Sequence, residues 1–346
     1  MNSAQKKNFL SFQVDAGAFT PATEEEKARQ SQMRESVSFM RDALRRLSKN
    51  NIAMLCLITI LLIAIIAAFV PSIYPYTYES QDLSRKYLDP FEYSAKEQAV
   101  IDAGGKVFPH VMGTDALGRD YAIRVIYGTR ISLAVGVVAA TIVVILGILY
   151  GSVSGFFGGR VDLFMMRIVD IIYSLPDVLI IILLSVVIRG FVQQSESIVV
   201  LRLGAGMISI FIVFGMLYWV GMARQVRGQI LSIKEQEYVL ASRAIGAKPS
   251  SIILRHMIPN SVSVIIITAA LQIPSAIFTE SFLSYLGLGV SMPMPSLGSL
   301  AADARTGLAS YPYLLLWPAL AIFLIVLSFN LLGNGLRDAF DPKLRS

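Results

Sequence analysis

The chain is poor in charge, cysteine and histidine, and each shortage excludes a class of protein. Only 16% of its 346 residues are Asp, Glu, Lys or Arg, a low share for a water-soluble chain of this length. The single cysteine, Cys56, excludes an internal disulfide, a four-cysteine zinc site and an iron–sulfur cluster. With only His110 and His256, a histidine-rich catalytic centre is excluded as well.

Apolar sequence is what the chain has in abundance. Its hydrophobic content is 55% and its mean hydropathy is +0.62, which indicates a polytopic membrane protein. A membrane-spanning helix needs roughly 20 apolar residues. Five uncharged stretches are long enough: 52–70, 131–159, 203–223, 257–279 and 306–336. A sixth, 168–188, carries Asp170 and Asp177 as its only charges. We therefore predict an all-α polytopic fold with six transmembrane helices.

The distribution of positive charge predicts how these helices are threaded. A basic cluster precedes the first helix, and the inner face of a membrane protein is enriched in Lys and Arg. Starting from a cytosolic N-terminus, 20 of the 30 Lys and Arg residues fall in inner segments. The predicted order is a cytosolic tail 1–50, a first transmembrane helix 51–71, an extracellular loop or cap 72–130, a five-helix core 131–336 with a cytosolic loop 224–256, and a cytosolic C-terminus 337–346.

The inner loop 234–259 has the local chemistry of two short helices that meet at a bend. Acidic residues lie at the start of the first helix, where they suit the helix dipole. Gly246 can adopt the left-handed conformation that ends a helix, and Pro249 is suited to the first turn of the next. Tyr238, Ala241 and Ile245 share one face at i, i+3 and i+7.

Two interpretations of this short helix are open on physical grounds. It could be an amphipathic helix that only rests on lipid headgroups. The small residues Ala241, Ser242 and Ala244 instead favour close approach by another macromolecule, because a lipid-bound helix usually carries Lys and Arg along its polar face.

The segment from Glu237 to Ala247, followed by Ile252, His256 and Pro259, resembles the EAA loop of ABC importer permeases. The chain departs from the motif at Leu240, where the family has a glutamate, although Glu237 lies one turn earlier. Gly246 matches the glycine of the motif. Five further segments in the same order resemble the dipeptide and oligopeptide permeases of this family, in particular their C-type subunit: 113–120, 127–133, 155–162, 280–289 and 329–342.

This resemblance implies the MetI-like core of type I ABC importer permeases and a function in ATP-driven uptake of di- or oligopeptides. It implies as partners a second permease subunit, two cytosolic ATPase subunits, an extracellular substrate-binding protein, membrane lipids and the peptide, but no nucleic acid. The chain would lie in the bacterial cell membrane. It would hold no cofactor or metal and would not itself be an enzyme, since ATP and Mg²⁺ would bind the ATPases. The residues expected to contact an ATPase are Glu237, Tyr238, Ala241, Ser242, Gly246 and Ala247.

Charges within the apolar runs have two interpretations. Asp162, Arg167, Asp170 and Asp177 cluster near the predicted third helix, where they could line a water-filled pathway or contact a partner permease. The alternative is an ion pair that neutralises itself near the headgroups. Glu280 could contact substrate or the binding protein, or it could lie in interfacial water and cap neighbouring backbone.

Two motifs complete the sequence picture. Gly147, Gly151 and Gly155 recur every four residues, a spacing that allows close helix contact. The phosphate-binding Gly-Xaa4-Gly-Lys-Ser/Thr motif is missing from the sequence, so energy must come from elsewhere. Relatives that carry nickel, glutathione or other small solutes leave the substrate open. A self-sufficient secondary transporter is a rival class, although the two matching halves that would support it are not evident.

Overall fold

The computed structural model describes residues 39–194, 197–290 and 294–340. The predictions for the tail 1–38 and for 341–346 at the C-terminus lie outside the described residues. By its internal contacts the chain divides into a unit that ends at Arg45 and a main unit that begins at Arg46, and all the long helices belong to the main unit. The helices of the described residues are α1 (Phe39–Lys49), α2 (Asn51–Ile73), α3 (Ala95–Asp102), α4 (Tyr121–Phe157), α5 (Gly159–Tyr173), α6 (Asp177–Gln193), α7 (Ile198–Leu203), α8 (Ala205–Lys234), α9 (Glu237–Ala244), α10 (Pro249–Ile252), α11 (Val262–Tyr285), α12 (Leu297–Asp303) and α13 (Tyr313–Phe340).

The all-α prediction is confirmed for the described residues, where the only β-type pairing is an isolated bridge between Thr114 and Asp120. Five helices, α2, α4, α8, α11 and α13, are long and apolar enough to cross a membrane. A sixth span is reached only if α5 and α6 count as one, and these two are bent by 90°. The bend lies at Pro176, because the residue before a proline is disfavoured in a helix.

The second span begins ten residues earlier than the charges predicted. Its helix starts at Tyr121 rather than at 131, so that Arg124 and Arg130 lie within it. Arg124 is tolerated there because it is 2% exposed and forms an ion pair with Asp115. The external segment predicted for 72–130 therefore ends at Asp120, whose side chain caps α4 by accepting a hydrogen bond from Ile123 N at 3.0 Å.

The glycine repeat on α4 allows close contact with another helix, as its spacing predicts. A Cβ atom at Gly147 would stand 2.4 Å from Met222, and one at Gly151 would stand 2.4 Å from the carbonyl oxygen of Ala223. At Gly155 the nearest atom would be Cβ of Ile230, at 2.9 Å. Only glycine permits this approach, so the C-terminal half of α4 lies directly against α8.

Residues 74–120 form a cap, which joins α2 to α4 at one end of the bundle. The segment 113–120 holds this cap together. Thr114 is fully buried, accepts a hydrogen bond from Leu88 N at 2.8 Å and donates one to the carbonyl of Arg85. The hydroxyl of Tyr313, at the start of α13, lies 2.9 Å from the Leu88 carbonyl and 2.8 Å from that of Thr114.

A buried ionic cluster fixes the same cap to the end of α4. His110 is fully buried, with Nδ1 2.7 Å from Asp120 and Nε2 3.2 Å from Glu97. Glu97 also forms an ion pair with Arg85 at 2.9 Å and completes a capping box with Ser94 at the start of α3. Burial alone would raise the pKa of Glu97, but hydrogen bonds from Ser94, with contributions from His110 and Arg85, hold it below its ordinary value.

Replacing Gly118 by alanine is expected to destabilise the cap more than replacing Gly104. Both glycines have a positive φ, 68° and 84°, so alanine costs about 1–2 kcal/mol at either. Only at Gly118 would Cβ also meet backbone, 1.8 Å from the Asp82 carbonyl oxygen, whereas Gly104 has nothing within 4 Å. That clash should cost roughly 1–3 kcal/mol more. Hydrogen exchange of cap peptides measures the difference, and equal loss of protection in both variants would contradict the close approach.

The cap is also expected to loosen in acid through Glu97. Because its folded-state pKa is lowered, its contribution to stability is complete above the ordinary pKa of about 4.5 and is lost as the pH falls through the lower, folded-state pKa. Glu97→Gln should remove this part of the acid sensitivity. Asp102→Asn, which changes an exposed carboxyl on the same helix, serves as the control. Hydrogen exchange of the cap across acidic pH provides the readout, and identical acid profiles for Glu97→Gln and the parent would refute the role of Glu97.

Candidate coupling segment and translocation face

Residues 237–247, the coupling segment, form one short helix and the bend that ends it. The amide of Gly246 donates to the carbonyl of Arg243 at 3.0 Å, and that of Ala247 donates to Ser242 at 3.1 Å. These two bonds are the Schellman pattern of a helix end, and Gly246 supplies the left-handed residue with φ +80°. Pro249 opens α10 as predicted. The chain therefore turns sharply after α9 with its terminal carbonyls satisfied.

One apolar side chain anchors the coupling segment to the bundle. Val239 is fully buried in the cluster that contains Phe156 from the end of α4, Ile230 from α8 and Ile252 from α10. The guanidinium of Arg243 lies 4.7 Å above the ring of Phe156. The position of α9 is thus fixed by the α4–α8 pair, which the glycine contacts hold together.

The opposite side of the coupling segment is exposed and largely apolar. Tyr238 is 42% exposed, Leu240 47% and Ile245 85%. Of the residues predicted to contact an ATPase, Glu237, Tyr238, Ala241 and Gly246 are exposed, and Ser242 and Ala247 are half-buried. All six lie in this one segment. Leu240 stands where the motif has a glutamate, and it adds apolar area to the exposed surface. Such a surface is suited to a complementary groove on another protein.

The acidic residues of α5 are paired with arginines of α8. Asp162 binds Arg227 through both carboxylate oxygens and also accepts from Ser154 at 2.5 Å. Asp170 lies 2.7 Å from Arg224. These two acids are therefore neutralised within the chain by arginines of α8 and not by Arg167, while a role at the pathway or at a permease contact stays a prediction. The Asp177 side chain lies outside what the structure describes, so its role remains a prediction.

Glu280 is fully buried, so the interpretation that placed it in interfacial water is wrong. Its carboxyl accepts hydrogen bonds from Ser284 at 2.7 Å and from Ser132 at 2.8 Å, with Ser281 at 3.4 Å. Ser132 belongs to α4, and its hydroxyl also accepts from Leu297 N at the start of α12. Glu280 thus joins α4, α11 and α12 at the cap end of the bundle, and several hydroxyl donors replace the water it has lost.

A set of neutral polar side chains, which the sequence reasoning missed, lines a cavity of about 490 Å³ between α8, α11 and the end of α13. We call this set the polar face: Gln225, Thr268, Gln272 and Ser275. Thr268 donates to Gln225 at 2.8 Å. A second cavity, of about 210 Å³, shares Gly221 and Gln272 with the first and continues along α8 to Tyr218. The polar face therefore borders the first cavity, and its Gln272 borders the second as well.

A sequence signal for the polar face did exist. Thr268, Gln272 and Ser275 recur at i, i+4 and i+7, which places them on one face of α11. Charged residues alone do not reveal this face, because its side chains are uncharged amides and hydroxyls. Such groups can exchange hydrogen bonds with a polar solute without the cost of placing a charge in a membrane.

Comparison with known proteins agrees with this architecture. The family of binding-protein-dependent transport system inner membrane components matches residues 144–346, and the N-terminal transmembrane domain of oligopeptide transport permease C matches residues 38–90.

Three relatives cover nearly the whole chain. The oligopeptide transport system permease protein OppC of Bacillus subtilis is 41% identical over 96% of this chain and 99% of that protein. The dipeptide transport system permease protein DppC of the same organism is 42% identical over 96% of this chain and 95% of that protein. The glutathione transport system permease protein GsiD of Pectobacterium atrosepticum is 34% identical over 88% of this chain and 92% of that protein. The chain therefore belongs to the binding-protein-dependent transport system inner membrane components, multi-pass membrane permeases of ABC transporters, and within them to the type of the oligopeptide and dipeptide permease C proteins.

Proposed function

We propose that this chain is one of two transmembrane subunits of an ATP-driven importer of di- and oligopeptides. The observation that carries the proposal is the coupling segment, an exposed apolar surface on a short helix that is anchored to the ends of α4 and α8. The names of the relatives support peptides as the transported solute. The chain is not itself an enzyme, because ATP and Mg²⁺ bind two separate cytosolic ATPase subunits.

The coupling segment is the contact with an ATPase. Glu237, Tyr238 and Ala241 face outward from α9 together with Leu240 and Ile245, and Gly246 sets the angle at which the chain returns to the membrane. When the ATPases close on ATP, the segment moves with them. Because Val239 and Arg243 fasten it to the bundle, α4 and α8 move as well, which switches the access of the pathway between the two sides.

The polar face forms this chain's half of the pathway, and a homologous permease supplies the other half. A peptide backbone offers amide donors and carbonyl acceptors at every residue, whatever its side chains are. Gln225, Gln272, Thr268 and Ser275 can satisfy both kinds of group in passing, and Arg337 is the charged residue that a peptide would meet in the same cavity. Asp170 and Asp177 belong to the boundary of this pathway or to the contact with the partner permease.

The end of the bundle that carries the coupling segment, with both termini, is proposed to face the bacterial cytoplasm, since an ATPase could reach the segment only there. The cap then faces outward, where an extracellular binding protein delivers the solute. This orientation agrees with the excess of Lys and Arg in the inner segments.

A permease for glutathione or another small solute such as nickel is the second candidate, and the relative GsiD favours glutathione among these. The neutral polar face suits glutathione as well, since it is a short peptide. Identifying the ligand carried by the cognate binding protein separates the two. A secondary transporter is the rival class, and copurification from native membrane tests it: ATPase subunits should accompany the chain, and their consistent absence would support the rival.

Replacing Gly246 by valine is expected to uncouple the transporter. A β-branched residue at φ +80° is strained although nothing lies within 4 Å of the new Cβ, so the effect comes from the bend and not from a clash. We expect ATPase stimulation by the binding protein to fall about five- to thirtyfold, since the strain of about 1–2 kcal/mol opposes the docked geometry. The measurement is ATP hydrolysis by the purified complex.

Gly246→Asn is the matched control, because asparagine enters the left-handed region more readily than valine. It should retain most of the stimulation. Equal activity of the valine and asparagine variants, in complexes that assemble to the same extent, would count against the role of the bend.

Gln272→Leu is expected to slow transport without preventing ATPase binding. The substitution removes hydrogen-bonding groups worth about 1 kcal/mol from the polar face, so uptake should fall roughly five- to tenfold. Uptake of labelled peptide into proteoliposomes gives the rate. Gln229→Leu, a glutamine on α8 that does not line the cavity, is the control. Equal effects of the two substitutions would remove the polar face from the pathway.

A further inference from the structure

A cavity of about 340 Å³ lies between the ends of α4 and α8, the coupling segment and α10. Its lining includes Phe156, Phe157, Lys234, Arg243, Pro249 and Ile252. None of its lining residues carries a negative charge, whereas two carry a positive charge. We call it the basic pocket. The activity proposed above uses Arg243 to fasten the coupling segment, but it assigns no ligand to this cavity.

Within the part of the chain that the structure describes, the two cations of the basic pocket form no ion pair with a carboxylate of their own. Asp162 is the acid whose charge interacts with Lys234, but its oxygens are already engaged by Arg227 and Ser154. The Nε atom of Arg243 is buried and has no hydrogen-bond partner among the described residues. A buried donor without a partner is unfavourable, so an acceptor brought to this atom is favoured.

The position of the basic pocket indicates where such an acceptor comes from. Phe157 and Lys234 are the last residues of two spanning helices, so the pocket lies at the end of both. The ammonium of Lys234 stands beside Gly158, at the turn where α5 begins. From that turn α5 presents an exposed apolar face at i, i+3, i+7 and i+10, made by Val161, Phe164, Ile168 and Ile171.

We infer that the basic pocket binds the phosphate of an anionic phospholipid, whose acyl chains lie along the exposed face of α5. Guanidinium and ammonium groups are the phosphate partners that proteins use most, and basic pockets between membrane helices bind anionic head groups. The phosphate accepts a hydrogen bond from Arg243 and faces Lys234, while Phe157 contacts the glycerol and upper acyl region. Since Arg243 belongs to α9, the lipid also fastens the coupling segment to the membrane.

The test measures lipid retained by the complete transporter, and it requires no peptide and no ATP hydrolysis. The complex is placed in nanodiscs of phosphatidylcholine with or without phosphatidylglycerol, extracted gently and analysed by native mass spectrometry. We expect phosphatidylglycerol to be retained in preference to phosphatidylcholine, and Arg243→Gln to lower that retention about tenfold. Lys234→Gln should lower it as well, which covers the case in which the Arg243 variant does not assemble.

Lys248→Gln is the matched control, because it removes the same charge from an exposed position in the same loop that does not line the pocket. Its retention of phosphatidylglycerol should equal that of the parent. Equal retention in the Arg243, Lys234 and Lys248 variants would overturn the lipid site. So would retention that inorganic phosphate abolishes, which would assign the pocket to a free anion, or a crosslink from position 243 to an acidic residue of an ATPase in place of lipid.

Discussion

The close contact between α4 and α8 is the constraint on which the rest of the bundle depends. Between membrane helices the solvent gives little driving force, so association relies on close packing of small residues. Gly147, Gly151 and Gly155 allow backbone to approach side chain and backbone over two turns. Phe156 comes directly after Gly155 in the sequence, and the coupling segment packs against it. A bulkier residue at any of the three glycines would separate the helices and displace Phe156.

The same helix pair determines where charge is tolerated. Arg224 and Arg227 lie on the part of α8 that α5 covers, and each finds a carboxylate there. The polar side chain of α8 that lines the cavity of about 490 Å³, Gln225, is in contrast neutral. Paired charges thus hold α5 in place, and uncharged amides border the open space. Arg337, at the end of α13, is the charged residue among those that line the same cavity.

The conformation of the coupling segment could be predicted from the sequence, because it depends on neighbouring residues. The contacts that hold the cap together could not. Gly246 and Pro249 act on their own neighbours in sequence, so their roles follow from backbone preferences alone. Thr114 and Glu280, in contrast, depend on partners 26 to 199 residues away, and no single-sequence pattern connects Thr114 with Tyr313 or Ser132 with Glu280. The start of the second span was predicted wrongly for the same reason. Arg124 was taken to lie outside the helix, but its carboxylate partner, Asp115, belongs to the cap and allows it to lie within the helix. The polar face was missed because charge was taken as the only signal of polarity within a span.

The two ends of α4 explain why a movement at the coupling segment can reach the cap. This helix has 37 residues and is about 55 Å long, so it extends through the bilayer and beyond. At one end Asp120 ties its first turn to His110 in the cap, and at the other Phe156 supports Val239 of the coupling segment. A continuous helix resists bending because each turn is held by its own hydrogen bonds. Displacing the coupling segment must therefore tilt α4 as a unit, and the buried cluster around Asp120 moves with it instead of absorbing the motion. The cap and the coupling segment are thus joined through one continuous helix.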